Sequence, residues 1–188
     1  MGKTKIGPKT VLYPMPSVLV GTVIENRANF MTAAWSGIAC SSPPSISVAI
    51  QPPRYTYKGV QENETFSINI PSADMAKAVD YCGIYSGKNT DKSKLFSVFY
   101  GSIETAPLIE ECPVNFECRM THALELGSHT LFIGQIIETH VSNDCFDGKK
   151  IITDMVNPLI FTASTRQYHS LGEAIGPAFN IGKKDGDS

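Results

Sequence analysis

The chain lacks most of the features that announce a particular chemistry. Its five cysteines are odd in number and include no C-x-x-C pair; Cys112 and Cys118 stand six apart. That pattern argues against a disulfide framework or a zinc site and for a reducing, cytoplasmic setting. No apolar run reaches the roughly 18 residues that a membrane span needs. Lys3, Lys5, Pro8 and Lys9 interrupt the opening stretch, where a signal peptide would carry its hydrophobic region. Charge of neither sign is in excess: 16 Lys and Arg face 18 Asp and Glu, for a formal net charge of -2. Neither nucleic acid nor an anionic membrane is therefore expected as a partner. There is no internal repeat, low-complexity block, carboxylate pair, nucleophile elbow or Rossmann fingerprint.

What is present is a strand built from the wrong residues. An ordinary strand packs its sheet with β-branched and aromatic side chains. Phe30 to Ala39 instead carries Thr32, Ala33, Ala34, Ser36 and Gly37 around a single tryptophan, Trp35, and Cys40-Ser41-Ser42-Pro43-Pro44 follows as a loop of small residues. Two arrangements tolerate such a strand. A neighbouring helix can crowd it, or a flat ligand can lie on it and bond its amides and hydroxyls.

The rest of the 188-residue chain, 42% hydrophobic, reads as one core-forming domain made mostly of strands. Val18–Ile24 is a continuous apolar run suited to a buried strand, and Glu25 to Asn29 a turn. Ser45 to Gln51 alternates until Pro52-Pro53 stops it. A short helix over Arg54 to Asn63, with Thr56 as candidate N-cap, precedes a strand over Thr65 to Ile70. Ser72 is placed to cap a helix over Ala73 to Tyr81, and a loop from Ser86 to Lys92 follows. Val114, Phe116, Cys118, Met120, Leu124 and Leu126 share one face of a long strand; Asn115, Glu117, Arg119 and Glu125 share the other. Gly127-Ser128 turns the chain, and His129 to Val141 returns as a hairpin. Lys149 to Met155 suits one or two helical turns. Residues 1–170 form the domain, and 171–188 a tail whose last few residues are expected to be disordered. Many closely spaced strands with few scattered helices point to an antiparallel, Greek-key type of barrel, mainly β.

Two places could carry a ligand. At Pro52-Pro53-Arg54-Tyr55-Thr56-Tyr57 a strand ends and a helix begins. Free amides at a helix N-terminus attract anions, a guanidinium can bond phosphate bidentately, and Thr56 adds a hydroxyl. The alternative is plain capping beside a surface arginine. His129, just after a turn, either presents its imidazole to a ligand at the barrel rim or stands by. His122 falls on the apolar face and reads as a core histidine; His140 and His169 have no evident company.

With these segments in order, the chain resembles the flavin reductase-like proteins with an FMN-binding split β-barrel, and especially their flavoredoxin branch. The matching residues are Pro14 to Gly21-Thr22, Asn29 through Gly37, Cys40 to Pro44 with Ile46 to Ile50, Arg54-Tyr55-Thr56-Tyr57, Phe66 to Pro71, Asp80-Tyr81-Cys82-Gly83, Ser86-Gly87, Asp91-Lys92 and Gly127 to Gly134, over about residues 11–165. The resemblance implies a homodimer with one FMN per subunit near the interface. It places Thr32 to Ser36 along the isoalloxazine, counts Asn29 and Met31 among the cofactor-binding residues, and sets Cys40, Ser41 and Ser42 at the ribityl chain or ring edge. Arg54 and Thr56 hold the phosphate. Lys92 lies in a loop that approaches the flavin, in some members from the partner subunit. His129 is the residue that could act on the redox step. The implied role is electron carriage in a flavin-dependent reaction, with NAD(P)H or a redox protein as donor. An NAD(P)H:FMN oxidoreductase supplying reduced flavin, and a non-enzymatic flavin sensor or store, are the other roles the family allows.

Overall fold

The computed structural model describes residues 2–183. Its strands are β1 (Met15–Pro16), β2 (Val18–Ile24), β3 (Arg27–Ala33), β4 (Ser36–Ser41), β5 (Pro44–Ile50), β6 (Thr65–Ile70), β7 (Val98–Phe99), β8 (Leu108–Ile109), β9 (Val114–Glu125), β10 (Thr130–Val141), β11 (Ile160–Thr162) and β12 (Gln167–His169). Three helices interrupt them: α1 (Tyr55–Asn63), α2 (Ala76–Ile84) and α3 (Thr153–Val156). Seven strands form one antiparallel sheet in the order β3-β2-β6-β9-β10-β5-β4, and β1, β11 and β12 form a small second one. The neighbours β2 and β6, or β10 and β5, are distant in the chain, as Greek-key connections require.

The expected strand from Phe30 to Ala39 is in fact two strands at opposite edges of the large sheet. Ala34 and Trp35 carry the chain from one edge to the other, and the Trp35 carbonyl accepts from Ala49 N at 2.9 Å. This crossing brings the two edges together and makes the sheet a split barrel. Small residues are needed here because the backbone itself passes close to the neighbouring strand.

The barrel interior is filled by Val20, Val48, Ile50, Phe66, Ile68 and Phe132, all buried. Leu19, Phe30, Val79 and Ile109 form a second core on the other face of β2 and β3, beneath α2. Burial on both faces explains why β2 reads as an unbroken apolar run. Gly134 of β10 is required by packing, since a Cβ there would lie 2.6 Å from the Phe66 ring.

Several local expectations need correction. The first turn is two residues, Glu25 and Asn26, both in the left-handed region at φ 52° and 59°, so Arg27 to Asn29 belong to β3. Thr56 is inside α1 rather than its N-cap; Arg54 holds that position and no side chain caps the helix. Ser72 leads first into a single 3-10 turn, Ala73–Met75, with no capping bond, and α2 continues to Ile84. The helix after Lys149 is confined to the four residues of α3.

In the long hairpin, β9 carries an extra residue at Thr121, between the pairs Ile133↔His122 and Gly134↔Met120. The bulge breaks the alternation, and His122, Leu124 and Leu126 are exposed rather than in the core. Conversely, Asn115 and Glu117 are buried under the segment that contains β7 and β8. Glu117 accepts from Ile103 N at 2.7 Å and from His140 Nε2 at 2.7 Å, so His140 has company after all. Among the described residues no helix is long and apolar enough to cross a membrane, and no group of three metal-ligating side chains forms. The expected disorder of the last few tail residues concerns 184–188, which lie outside the described residues.

Candidate functional site

The crossing between β3 and β4, the N-terminus of α1 and the C-terminus of α2 converge on one trough. Its first part is a cavity of about 120 Å3 lined by Met31, Thr32, Arg54, Thr56, Gly87 and Lys92, among others. Its second, of about 170 Å3, is lined by Met31, Thr32, Ala33, Ala34, Trp35, Ala49, Gln51, Arg54 and His129. Met31, Thr32 and Arg54 line both, so the two parts are continuous.

The first part is a cation pocket. Lys92 is 3% exposed, and its ammonium donates to the Cys82 carbonyl at 3.1 Å and the Tyr85 carbonyl at 2.9 Å. These are carbonyls at the end of α2, where the helix dipole favours a cation. The loop that delivers it is fixed by Asp91, whose carboxylate accepts from Ser93 N at 3.2 Å. Burial lowers the Lys92 pKa; the neighbouring Cys82 opposes that, and Arg54 reinforces it. Burial likewise pushes the Cys82 thiol up to about 11, with Lys92 opposing. Among the described residues the ion pairs involve Lys58, Lys94 and His140, and neither Lys92 nor Arg54 has a carboxylate partner. A buried ammonium beside a guanidinium, with no carboxylate and an uncapped helix N-terminus alongside, is a setting completed by an anion.

Asn29 and Thr56 build the wall of this pocket. Both are buried, and Asn29 Nδ2 donates to Thr56 Oγ1 at 2.7 Å, tying β3 to the first turn of α1. Gly87 closes against the same asparagine: a Cβ at position 87 would collide with Asn29 Oδ1. Arg27 Nη2 donates to the Gly87 carbonyl at 3.1 Å and holds that loop from the far side.

The second part suits a flat group. Trp35 and His129 stack with ring centroids 4.6 Å apart and an interplanar angle of 31°. His129 Nδ1 is 2.9 Å from Ser128 Oγ, so the turn serine helps orient the imidazole. The floor is the small-residue backbone. Its hydroxyls, however, are already engaged: Thr32 Oγ1 donates to the Val79 carbonyl, and Ser36 Oγ to the Ser47 carbonyl at 2.8 Å. What the crossing offers a ligand is its backbone and its lack of bulk.

Most of the expected residues thus meet here: Met31, Thr32, Ala33, Ala34, Trp35, Arg54, Thr56, Lys92 and His129 line the trough, and Asn29 supports it. Ser36 lies beyond Trp35, against an adjoining cavity. Cys40, Ser41 and Ser42 line neither part of the trough. They sit at the tip of the β4–β5 hairpin, where Cys40 pairs with Ser45 and Ser41 with Pro44. From Ser45 to Ala49 along β5 is about 13 Å at strand rise. Lys92 lines the pocket of its own chain. Reading the sequence missed Ala49, Gln51, Gly83 and Tyr85 as lining residues and Arg27 as a support. A signal existed for Ala49, a small residue in the apolar run of β5.

The family profile described as the flavin reductase like domain matches residues 10–172. The chain belongs to the flavin reductase-like family. Membership agrees with the split barrel and with a trough at its rim. Among solved structures, the flavoredoxin from Methanosarcina acetivorans superposes with a TM-score of 0.94 at 37% identity, over 97% of this chain and 98% of that one. The flavoredoxin of Desulfovibrio vulgaris (Miyazaki F) gives 0.90 at 40% identity, over 97% and 100%. An uncharacterized protein from Archaeoglobus fulgidus is 36% identical over 142 residues, 73% of this chain and 78% of its own length.

Proposed function

We propose that this family member is an FMN-binding flavoprotein that carries electrons, as the name of its flavoredoxin neighbours suggests. The observation that carries the reading is Lys92: a buried cation without a carboxylate, sharing a small pocket with Arg54 and the uncapped start of α1. A phosphate monoester fits that pocket. The flat, small-residue part of the trough begins at the same arginine, which suits a tricyclic ring joined to the phosphate by a short chain. FMN has that shape. FAD would need a second set of donors for its adenylate, and the trough has a single cation cluster.

In this reading Arg54, Lys92 and the α1 amides bind the phosphate, with Thr56 and Asn29 holding the helix start in place. Residues 32–35 carry the ring, and the Trp35–His129 stack closes its outer end. Bound FMN supplies the two-electron chemistry; the protein orients it and sets its potential. The protein works as a homodimer in the cytoplasm, with NAD(P)H or a redox protein as donor. The test is the ligand that co-purifies. A yellow protein that releases stoichiometric FMN on heating, and retains it through gel filtration, supports a carrier. Recovery of FAD, or failure of the protein to bind added FMN, overturns the reading. FMN that dissociates at each turnover points instead to a reductase that treats flavin as substrate.

A further inference from the structure

At the far end of β10 from His129, roughly 35 Å along the strand, lies a separate cavity of about 200 Å3. Phe99, Glu110, Asn115, His140, Val141 and Ser142 line it. Asn115 is 3% exposed, and its neighbours fix which way its amide faces. Nδ2 donates to Asn69 Oδ1 at 2.8 Å and to the Ile109 carbonyl at 2.9 Å. Asn69 is fixed in turn, because its Oδ1 also accepts from Ile109 N at 3.0 Å. Asn115 Oδ1 therefore has no donor among the described residues. Ser17 Oγ is the one fully enclosed side-chain oxygen or nitrogen without a partner among them, so Asn115 Oδ1 is open, and it opens to the cavity that Asn115 lines. His140 points the same way. Its Nε2 donates to Glu117 Oε1 at 2.7 Å, which in the neutral ring leaves Nδ1 an acceptor without a partner. Glu110 is exposed and enters no ion pair among the described residues. No lysine or arginine lines the cavity, and the Phe99 ring stands perpendicular to His140 with centroids 5.5 Å apart.

We infer that this cavity binds a guanidinium group, carried by a small compound or by an arginine side chain of another protein. The lining offers acceptors and negative charge, so it selects a cation rich in N–H donors. A guanidinium brings a planar fork of donors to Glu110, Asn115 Oδ1 and His140 Nδ1, and it is weakly hydrated enough to lie against Phe99. A phosphate or carboxylate would instead face the Glu110 carboxylate and the Asn115 oxygen with no cation to balance it. The volume holds one head group on a short chain and is below that of drug-sized ligand sites. The cavity shares no lining residue with the flavin trough, so the inference stands apart from the FMN reading.

The chain has four histidines, so the His140 ring signal can be followed by NMR and assigned by its loss in His140→Gln. The experiment titrates ethylguanidinium chloride into the full chain. A saturable shift of the His140 signal is expected. Tetramethylammonium chloride carries the charge without an N–H and should give no saturable shift. Glu110→Gln keeps the size of an exposed, unpaired side chain and removes its charge. It should raise the ethylguanidinium dissociation constant by at least about tenfold, the scale of one hydrogen bond to a charged group. Ser142→Leu fills the cavity and should abolish the shift, with melting temperatures confirming that both variants fold. An acetylated, amidated Gly-Arg-Gly peptide distinguishes the sources: tighter binding than ethylguanidinium assigns the site to an arginine of another protein, and equal or weaker binding assigns it to a free compound. A shift that never saturates, that tetramethylammonium reproduces, or that either folded variant leaves intact would overturn the proposal.

Discussion

Lys92 and Arg54 place two positive charges at one pocket, and the side chains differ in what they risk when the pocket is empty. Arg54 is exposed and takes part in no ion pair among the described residues, so Arg54→Ala should leave thermal stability of the flavin-free protein nearly unchanged. A hydrogen bond to a charged group contributes about 1.5–3 kcal/mol. The FMN dissociation constant should therefore rise roughly tenfold to more than a hundredfold, as read by fluorescence titration. Lys92 is buried, and its lowered pKa gives a pH dependence. Phosphate binds the protonated lysine, so FMN affinity falls as pH rises through that lowered value. In flavin-free protein the sign reverses: between the folded and the unfolded pKa the unfolded chain holds more protons, so stability from this group rises with pH. Lys92→Met should flatten both profiles, which titrations and melts across neutral and alkaline pH would show. His129 acts at the other end of the trough. Its imidazole lines the flat part of the trough against Trp35. His129→Ala should slow flavin reduction or shift its potential while bound FMN stays near stoichiometric. Stopped-flow reduction by NADH, NADPH and dithionite from pH 6 to 8 measures this, and identical profiles would leave His129 a structural residue.

At the scale of elements, the trough exists because β3 and β4 lie at opposite edges of one sheet and a two-residue link joins them. Two further joints tie the elements together, and the first of them walls the cation pocket. One is the Asn29–Thr56 bond between β3 and α1, against which Gly87 packs. Gly87→Ala forces Asn29 aside and should weaken FMN binding more than it lowers the melting temperature. The other joint lies across the molecule, where Glu117 of β9 holds the segment between β7 and β8. Burial pushes the Glu117 carboxyl up, but hydrogen bonds from His140, Ile103 N and Ser102 together hold it below its ordinary value. A carboxylate with a depressed folded pKa stabilises the fold above its unfolded pKa. That contribution is lost as pH falls through the folded value. Glu117→Gln should cost about 1–3 kcal/mol near neutral pH, because one of the two acceptor oxygens becomes an amide NH2 that faces a donor. It should also flatten the acid limb of stability, followed by circular dichroism.

At the scale of the whole molecule, large apolar side chains stand exposed on the long hairpin and on the edge strand β4. Leu124 and Leu126 at the hairpin tip are 46% and 64% exposed, and Ile38 on the edge strand is 68% exposed. A symmetric second copy is the usual cover for such a surface. Sedimentation equilibrium should find a flavin-bound dimer at micromolar concentration, and Leu126→Glu should shift it toward monomer. A wild-type monomer under those conditions would contradict the homodimer.

Local chemistry alone determined much of this protein. The apolar run of β2, the alternation of β5, the Gly127-Ser128 turn and the Arg54 helix start were legible because each is fixed by side-chain period or by one residue's backbone preference. The ordered set of weak motifs was enough to reach the family and to single out Arg54, Thr56, Lys92 and His129, which line one trough. What the sequence could not show were effects that act between distant segments. The bulge at Thr121 turned His122 outward, because one unpaired residue reverses which face every later side chain takes. The split of the small-residue stretch into β3 and β4 appears only when the sheet closes, and that closure moved Cys40, Ser41 and Ser42 to a hairpin tip away from the trough. The pairing of His140 with Glu117 joins residues 23 apart through a strand register set by two bulges. The anion-seeking character of Lys92 likewise belongs to the tertiary structure, since a lysine becomes a buried cation only when the surrounding chain removes its water.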